Sequence, residues 1–434
     1  MHSIRSRGGA AVNGRRAVIT GLGVVAPGGV GTKAFWQAIT SGRTATRLIT
    51  AFDAAAFRSR IAAEVDFDPA AAELSHREIR RLDRAAQFAL VATRETLSDS
   101  GLELSRLDPA RVGVSIGTAV GCTCKLEAEY LVLSDTGREW LVDHSYTSPH
   151  LHDYYMPGSM AAEIAWEVNA QGPVTAVSAG CTSGLDALGH AVDLIREGTV
   201  DVMVAGGTEA PISPITVACF DAIKATSPST DDAAHAMRPF DRTRTGFVLG
   251  EGAAVLLVEA EEHARARDAR IYAEITGFAS RSNAYHMTGL RPDGTELAAA
   301  VTAALDESKL PPDAIDYVNA HGTATKQNDR HETAALKKAL GEHAYRIPVS
   351  SIKSMIGHSL GAIGSIEIAA CALAIDQGIV PPTANLTEPD PELDLDYVPL
   401  EAREQHLGAV LSVGSGFGGF QSAMVLARPR SRAA

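Results

Sequence analysis

Residues 174–184 of the chain read Val174-Thr175-Ala176-Val177-Ser178-Ala179-Gly180-Cys181-Thr182-Ser183-Gly184, an apolar β-rich run that leads into a glycine-bounded turn. An apolar-periodic segment follows and stops at Gly198, so the pattern predicts a strand, a tight turn and a helix. The turn would place the sulfur of Cys181 at the helix amino terminus, where unpaired N–H groups and the helix dipole favour a thiolate. The stretch therefore predicts a nucleophile elbow built with sulfur.

Two histidine motifs lie far downstream of this cysteine. His321-Gly322-Thr323-Ala324-Thr325 follows a strand-like run, and Lys353-Ser354-Met355-Ile356-Gly357-His358 precedes a long apolar helix. A lone cysteine is most often a small buried residue. One cysteine with remote histidines, however, is the arrangement of a thiol nucleophile with acid/base or oxyanion partners. We therefore interpret Cys181, His321 and His358 as candidate catalytic residues.

Composition limits the classes of protein to which the chain can belong. Lys and Arg total 39 against 52 Asp and Glu, a net charge of −13 that argues against nucleic acid and anionic membrane as partners. Five cysteines without framework spacing predict neither a disulfide scaffold nor a metal site, and they favour a reducing compartment. We expect no membrane span, because no apolar run reaches about 18 residues. The expected localisation is cytoplasmic, with a flexible polar tail at residues 1–15 rather than a signal peptide.

The chain repeats one structural pattern twice. Each copy reads β…α–β…β–α–β with near-continuous apolar strands, which is typical of sheets buried between helices. We predict an α/β protein with two related halves, residues 16–270 and 271–428, packed as α/β/α/β/α layers. A pseudo-twofold axis would then bring the turns of Cys181 and His358 together, whereas two independent α/β domains are the alternative. The matching segments are Arg16–Gly21 with Tyr272–Gly277, Val112–Ile116 with Ile315–Ala320, Val174–Ser178 with Val349–Ile352, and Asp201–Gly207 with Ala409–Gly414.

An insertion interrupts the first half at about residues 126–161. Its aromatic content suggests a lid or a surface for a partner. Residues 429–434 are expected to form a second tail. The aromatic residues of the insertion are Tyr130, Trp140, Tyr146, Tyr154 and Tyr155.

From Arg16 to Leu426 the chain resembles the β-ketoacyl-acyl-carrier-protein synthases of the thiolase-like superfamily. The resemblance rests on the Cys-Thr-Ser-Gly elbow, the His-Gly-Thr-x-Thr and Lys-Ser-x-x-Gly-His motifs, and the glycine-rich stretches 246–252 and 416–419. It is most similar to the catalytic ketosynthase subunit of bacterial type II aromatic polyketide synthases. The family's closing Phe-Gly-Gly-Thr-Asn reads Phe417-Gly418-Gly419-Phe420-Gln421 here, which favours the polyketide branch over fatty-acid synthesis.

The resemblance implies a decarboxylative Claisen condensation. Cys181 would accept an acyl group from a carrier thioester, and the enolate left by loss of CO2 from a malonyl carrier would attack that acyl group. His321 and His358 would donate hydrogen bonds to the malonyl thioester oxygen, and the backbone N–H groups of Cys181 and Phe417 would bind the acyl oxygen. Phe417, flanked by glycines, would also act as a gate over Cys181.

Further residues acquire roles through the same resemblance. Lys353 would be a buried ammonium, which requires a partner, and Glu332 and Asp329 are the candidates by family position. Thr323 and Thr325 would bind the amides of a phosphopantetheine arm, although capping of the turn is an equally good interpretation. No bound cofactor or metal is expected, because the substrates are carried on the phosphopantetheine of an acyl carrier protein.

The expected partners are acyl carrier protein and a homologous chain-length subunit in a heterodimer, or a second copy if the chain is alone. The stretch 77–84 is expected to be helical and to place Arg77, Arg80, Arg81 and Arg84 on one face. Such a basic face on an acidic chain suits an acidic carrier, although a solvated face is the default. Ser229 stands where many relatives have arginine, which removes one carrier contact.

Three other functions compete with this interpretation. A fatty-acid β-ketoacyl-carrier synthase of type II is the nearest, and the Phe420-Gln421 ending and the aromatic insertion argue against it. A non-catalytic chain-length subunit would lack the cysteine that this chain has. A papain-like thiol hydrolase would need a Cys–His ion pair and no elbow at a repeat junction.

Overall fold

The computed structural model of the chain describes residues 14–138 and 144–430. Most of the predicted tail 1–15, part of the tail 429–434 and Trp140 of the insertion lie outside the described residues. The strands are β1 Ala17–Ala26, β2 Gly29–Val30, β3 Thr46–Leu48, β4 Ile61–Ala63, β5 Val112–Gly117, β6 Val174–Val177, β7 Val202–Glu209, β8 Leu249–Gly250, β9 Gly252–Ala260, β10 Ala273–Ser282, β11 Tyr317–Asn319, β12 Val349–Ser350, β13 Ile379–Val380, β14 Arg403–Glu404, β15 Ala409–Gly416 and β16 Phe420–Ala427. The α-helices are α1 Thr32–Thr40, α2 His76–Arg81, α3 Arg84–Ser100, α4 Thr123–Leu133, α5 Leu151–Tyr155, α6 Ser159–Glu167, α7 Ser183–Arg196, α8 Pro214–Ala222, α9 Glu261–Ala266, α10 Thr295–Ser308, α11 Lys326–Leu340, α12 Lys353–Ile356 and α13 Ile363–Gln377.

The main sheet shows the internal duplication directly. Its strand order is β12-β11-β15-β16-β10-β1-β9-β7-β5-β6, with β2 paired to β1 at the side. Read inward from either end, the two halves of this order match strand for strand, so β5 corresponds to β11 and β6 to β12. The predicted repeat is therefore confirmed. The structure adds one matching pair, β9 and β16, that the sequence comparison missed.

The two half-sheets meet along only one short stretch. Strand β1 pairs with β10 at Ala17–Ile19 alone, whereas its pairing with β9 extends from Ala17 to Val25. The half-sheets therefore separate into two layers. Helices α7 and α13 pack between them, α3 covers the first half-sheet, and α10 covers the second. This arrangement is the predicted α/β/α/β/α stack.

Helix α13 and the turn before it form an apolar segment at the centre of the protein. Residues Leu360–Gln377 have a mean hydropathy of 1.4 over 18 residues, which is apolar enough by length and composition to cross a membrane, although Glu367 and Asp376 interrupt the apolar run. That segment is 89% buried inside the protein, which is the position of a core helix between two sheets.

Glycines allow the backbones of the two halves to approach closely near the centre. A Cβ on Gly117, at the end of β5, would lie 2.3 Å from the carbonyl carbon of Ser183. A Cβ on Gly184 would lie 2.9 Å from the carbonyl oxygen of Gly361, which belongs to the second half. Because a side chain at either position would force these segments apart, the sequence leaves both without one.

Candidate active site

Cys181 lies in a tight turn between β6 and α7. A 3-10 turn spans Gly180–Thr182, and Gly180 has a φ of +58°, a left-handed conformation that glycine adopts without strain. Ser183 fastens the turn, because its hydroxyl donates to the Gly180 carbonyl at 2.6 Å and accepts from the N–H of Ala179 at 2.9 Å. The predicted elbow is therefore present, with the sulfur close to the start of α7.

The structure brings the cysteine and both candidate histidines together. His358 Nε2 lies 3.1 Å from the sulfur of Cys181, and the ring of His321 meets that of His358 edge-on with centroids 5.4 Å apart. The backbone of His358 is fixed at both ends, since its N–H donates to the Val248 carbonyl and its carbonyl accepts from the N–H of Gly250. The two elbows of the repeat thus supply the nucleophile and its nearest base.

Burial controls the charge state of these three side chains. It raises the pKa of the Cys181 thiol to about 11, although the Lys353 ammonium and the N–H of Phe417 oppose this change. Burial, reinforced by Lys353, lowers the pKa of both His321 and His358 well below the usual histidine value. The expected thiolate is therefore wrong, because desolvation of a charged sulfur outweighs the helix terminus. The site at neutral pH holds a thiol and two neutral imidazoles.

The loop of Phe417 closes one side of the site. Its backbone N–H reaches the sulfur of Cys181, which is the position expected of an oxyanion donor. The next two glycines have φ values of +94° and +90°, and the N–H of Gly418 donates to the Met287 carbonyl at 2.6 Å. The ring of Phe417 stands 6.3 Å from that of Phe220. The gate function of Phe417 stays a prediction.

Lys353 is fully buried, as predicted, but its partner is Glu367. The assignment to Glu332 or Asp329 is wrong as a direct ion pair. Asp329 forms its ion pair with Arg244, at 3.1 Å between Oδ2 and Nε. Glu367 lies in the apolar middle of helix α13, whereas the other carboxylate of this helix, Asp376, is near its end and pairs with Arg270. A carboxylate in the middle of an apolar helix was the available signal, since a buried charge needs a counter-charge.

Glu332 holds the loop that carries His321. Its carboxylate accepts from the N–H of His321 at 2.5 Å and from the N–H of Gly322 at 2.8 Å. Burial raises the pKa of Glu332 to about 8, with these two N–H groups opposing the change. Glu332 is therefore placed to orient the histidine loop.

Thr323 and Thr325 face the same cavity as Cys181. Thr325 caps helix α11, since its Oγ1 accepts from the N–H of Asn328 at 3.2 Å, so the capping interpretation holds for this residue. The two threonine hydroxyls lie 3.0 Å apart. Their role towards a pantetheine arm stays a prediction.

The cavity above the cysteine is narrow, with a volume of about 50 Å³. Four of its lining residues also border a second, more polar hollow, in which Lys224 and Lys326 are exposed. The chain therefore has a polar mouth that leads to the cysteine. The shared residues are Thr288, Thr325, Gln327 and Phe417.

The four arginines of stretch 77–84 do not share one helix face. Helix α2 ends at Arg81, Leu82 is extended with φ −86° and ψ 141°, and Asp83 caps a new helix that starts at Arg84. Arg81 is paired with Glu163, and Arg84 with Glu251 at 2.6 Å. Arg77 and Arg80 are exposed and have no ion pair among the described residues.

Across residues 14–138 and 144–430, no cluster of three or more histidines, cysteines or carboxylates is arranged to hold a metal ion. The expectation of metal-free chemistry without a bound cofactor remains a prediction.

Comparison with known proteins places the chain in a family. Residues 14–264 match the model of the β-ketoacyl synthase N-terminal domain, and residues 272–387 match that of the C-terminal domain. The chain belongs to the β-ketoacyl synthase family, whose members are condensing acyltransferases. The resemblance inferred from the motifs is therefore confirmed.

Individual relatives narrow this assignment. The chain is 64% identical over 416 residues to the tetracenomycin polyketide synthase ketoacyl synthase alpha subunit of Streptomyces glaucescens. This match covers 96% of the chain and 98% of that protein. It is 42% identical over 419 residues to the 3-oxoacyl-[acyl-carrier-protein] synthase 2 of Coxiella burnetii, covering 95% and 99%. The higher identity to the polyketide relative confirms the prediction of a type II polyketide ketosynthase.

Solved structures agree with this assignment. One is a type II polyketide synthase acyl-carrier protein in complex with its ketosynthase bound to the hexaketide. Its matched chain has a TM-score of 0.90 and 37% identity, and the match covers 96% of this chain and 100% of that one. Another is the ishigamide ketosynthase/chain length factor, with a TM-score of 0.87, 33% identity and the same coverage.

Replacement of Lys353 by methionine is expected to move the acid limb of Cys181 acylation to higher pH. The ammonium lowers the pKa of both buried histidines, so without it they would become protonated at a higher pH, and an imidazolium cannot accept the thiol proton. The measurement is the rate of acyl-enzyme formation between about pH 5 and 8. Lys338→Met, at a half-exposed lysine, is the matched control. An acid limb at the wild-type pH would show that Lys353 does not control the histidines.

Proposed function

We propose that the chain is the catalytic ketosynthase of a type II polyketide synthase and that it extends a Cys181-bound acyl chain with malonyl units carried by acyl carrier protein. The observation that carries this proposal is the 3.1 Å approach of His358 Nε2 to the Cys181 sulfur, with His321 facing the same cavity. A nucleophile beside a neutral base, in a pocket with a polar mouth, fits transfer of an acyl group from a thioester.

The first half-reaction loads the cysteine. The sulfur of Cys181 attacks the thioester carbonyl of an acyl carrier, and the thiol proton passes to His358 Nε2. The developing oxyanion lies against the N–H groups of Cys181 and Phe417. When the tetrahedral adduct collapses, the pantetheine sulfur leaves and takes the proton from His358. The neutral state of His358 supports this step, because only a neutral imidazole can accept a proton.

The second half-reaction forms the carbon–carbon bond. A malonyl carrier loses CO2, and the electron pair of the broken bond forms an enolate whose oxygen accepts hydrogen bonds from His321 and His358. For this step the ring proton of His358 moves to Nε2 from Nδ1, which has no hydrogen-bond partner among the described residues. Neutral imidazoles can donate these bonds without giving up a proton. The enolate carbon then attacks the Cys181 thioester. The sulfur leaves as a thiolate and takes up one proton from solvent, which its raised pKa favours.

The assignment to polyketide synthesis rather than fatty-acid synthesis rests on the carboxyl-terminal motif and on the higher identity to the polyketide relative. Gln421 of this motif is buried and accepts from the Ser415 hydroxyl at 2.8 Å, and its oxygen lies 3.3 Å from His331 Nε2. Ser415 lines the cysteine cavity, so the changed motif reaches the substrate site. The presence of Cys181 with both histidines argues against a non-catalytic subunit.

The surface offers a place for a homologous subunit. Strand β6 is the edge of the main sheet, and its side chains are alternately exposed, with Val174 43% exposed. Elsewhere on the surface, the insertion presents Tyr130 at 57% and Tyr155 at 70% exposure around an apolar groove. An unpaired sheet edge and an exposed apolar groove each favour contact with a paired subunit. We therefore assign these surfaces to the chain-length partner, in a cytoplasmic complex.

The mouth of the cavity suits an acidic carrier better than the arginine stretch does. Lys224 and Lys326 are exposed at the mouth and have no ion pair among the described residues. A carrier docked there would place its pantetheine arm directly in line with Thr325 and Phe417. Of the four predicted arginines, only Arg77 and Arg80 remain available for docking.

Alanine at the two histidines is expected to separate the half-reactions. His358→Ala should slow both Cys181 acylation and malonyl decarboxylation, whereas His321→Ala should slow decarboxylation by about 10²–10³ and leave acylation nearly unchanged. The reason is that only His358 contacts the sulfur. Acyl-enzyme formation and CO2 release are measured separately, with His190→Ala as a control on the face of helix α7. Equal loss of acylation in both variants would contradict the division of roles.

Charge reversal at the mouth is expected to weaken carrier recognition. Lys224→Glu with Lys326→Glu should raise the KM for carrier-bound substrate by about tenfold at low salt, with turnover of a small thioester retained. The matched double variant is Arg77→Glu with Arg80→Glu, which reverses two charges elsewhere. If the arginine variant raises the KM and the lysine variant does not, the docking surface is the arginine stretch.

A further inference from the structure

Glu209 is a buried carboxylate that the reaction above does not use. It is the last residue of β7 and is fully shielded from solvent. Its Oε1 accepts from the Thr118 hydroxyl at 2.7 Å and from the N–H of Val120 at 3.2 Å. Its Oε2 accepts from the N–H of Ala119 at 2.5 Å and from the N–H of Gly361 at 3.0 Å. One side chain therefore receives four hydrogen bonds.

These hydrogen bonds join the two halves of the protein. Thr118, Ala119 and Val120 follow strand β5 of the first half, whereas Gly361 follows the His358 elbow of the second half. A Cβ on Gly361 would lie 2.3 Å from the nitrogen of Ala119, so the two loops are in close contact. Glu209 is the group that satisfies the N–H donors of both loops.

The joined loops form an apolar wall beside the nucleophile. Ala119, Leu360 and Cys181 belong to one apolar cluster, and Leu360 lines the cavity of Cys181. Leu360 has a φ of +44°, a strained conformation for a branched side chain, so its loop must be held by surrounding contacts. The hydrogen bond from Gly361 to Glu209 is the contact adjacent to this strained residue.

Glu209 has no counter-ion among the described residues. Burial raises its pKa to about 7, and the N–H of Ala119 and the hydroxyl of Thr118 are the main groups that oppose this change. The negative charge of Glu209 raises the pKa of two nearby thiols, Cys181 and Cys122. At Cys181 the Lys353 ammonium opposes this effect and Glu367 adds to it. A buried carboxylate without a counter-ion is costly, and its retention beside the nucleophile calls for a function.

We propose that Glu209 is a positioning residue whose carboxylate holds the loop Thr118–Val120 against the loop of Leu360 and Gly361, and so fixes the wall that faces the acyl chain on Cys181. The acyl chain in this statement rests on the proposed function, whereas the contact between Glu209 and the two loops does not. Without the carboxylate the wall would shift, and a misplacement of about 1 Å can cost about 10²-fold in rate.

Three variants separate the effect of the charge of Glu209 from the effect of its side-chain length and hydrogen bonds. Glu209→Gln removes the charge and turns one acceptor into a donor that faces N–H groups. Glu209→Asp keeps the charge but is one methylene too short to reach both loops. Thr118→Val removes one donor and leaves the carboxylate in place. Glu103→Gln, at an exposed surface carboxylate, is the control.

Two readouts are measured on the full chain, together with the near-UV circular dichroism of each variant. The first is the pH profile of Cys181 alkylation by iodoacetamide, which needs neither carrier nor condensation and so remains valid if the proposed function fails. Glu209→Gln should shift this profile to lower pH and raise the rate at about pH 8 by about threefold, while Glu209→Asp and Thr118→Val keep the wild-type profile.

The second readout is the rate of acyl transfer to Cys181 from an octanoyl thioester, reported as kcat and KM. Glu209→Asp should lower kcat by about tenfold or more with KM little changed, and Thr118→Val should lower it less in the same direction. The alkylation profile reports the charge beside the thiol, whereas kcat reports the position of the wall. A kcat within about twofold of wild type in both Glu209→Asp and Thr118→Val would therefore overturn the proposal whatever the alkylation profile. If the Glu209 variants do not fold, the kcat of Thr118→Val decides alone, since a value equal to that of Glu103→Gln would overturn it.

Discussion

The close approach of two strand-to-helix turns, one from each half of the repeat, is the constraint on which the rest of the structure depends. It places the sulfur of Cys181 3.1 Å from His358 Nε2, although 177 residues separate them in the chain. The approach is possible because the backbones meet at glycines. A Cβ on Gly184 or Gly361 would lie within 3 Å of backbone atoms of the opposite half. The meeting of Cys181 with His358 is therefore a consequence of duplication followed by packing around a pseudo-twofold axis.

The same packing determines the electrostatics of the site. Because the two elbows meet between two sheets, Cys181 and the two histidines are desolvated, and each favours its neutral form. The buried ammonium of Lys353 is paired with Glu367 and lowers the pKa of both imidazoles. Neutral imidazoles suit a reaction in which one histidine must accept a proton and both must later donate hydrogen bonds. Burial thus favours the neutral form of both histidines.

Much of this could be predicted from the sequence, because repeats, apolar periodicity and motif spacing are local signals. The layers, the elbow and the meeting of Cys181 with His358 follow from those signals. The prediction of a thiolate at Cys181 was wrong because the sequence shows the helix terminus but not the free-energy cost of burying a charged sulfur. The predicted ion-pair partner of Lys353 was wrong because tertiary packing decides which of several carboxylates lies next to the ammonium. The prediction of one helix face with four arginines was wrong because the chain is extended at Leu82. Asp83 caps a second helix there, so the arginines belong to two helices.

The central claim is that Cys181 carries the growing acyl chain. It is tested most directly by intact-protein mass spectrometry after incubation with an acyl carrier thioester, followed by peptide mapping. The account predicts one acyl adduct that maps to residues containing Cys181 and is absent from Cys181→Ala, whose circular dichroism matches the wild type. An adduct retained at full level on Cys181→Ala, or mapped to another cysteine such as the exposed Cys219, would contradict it.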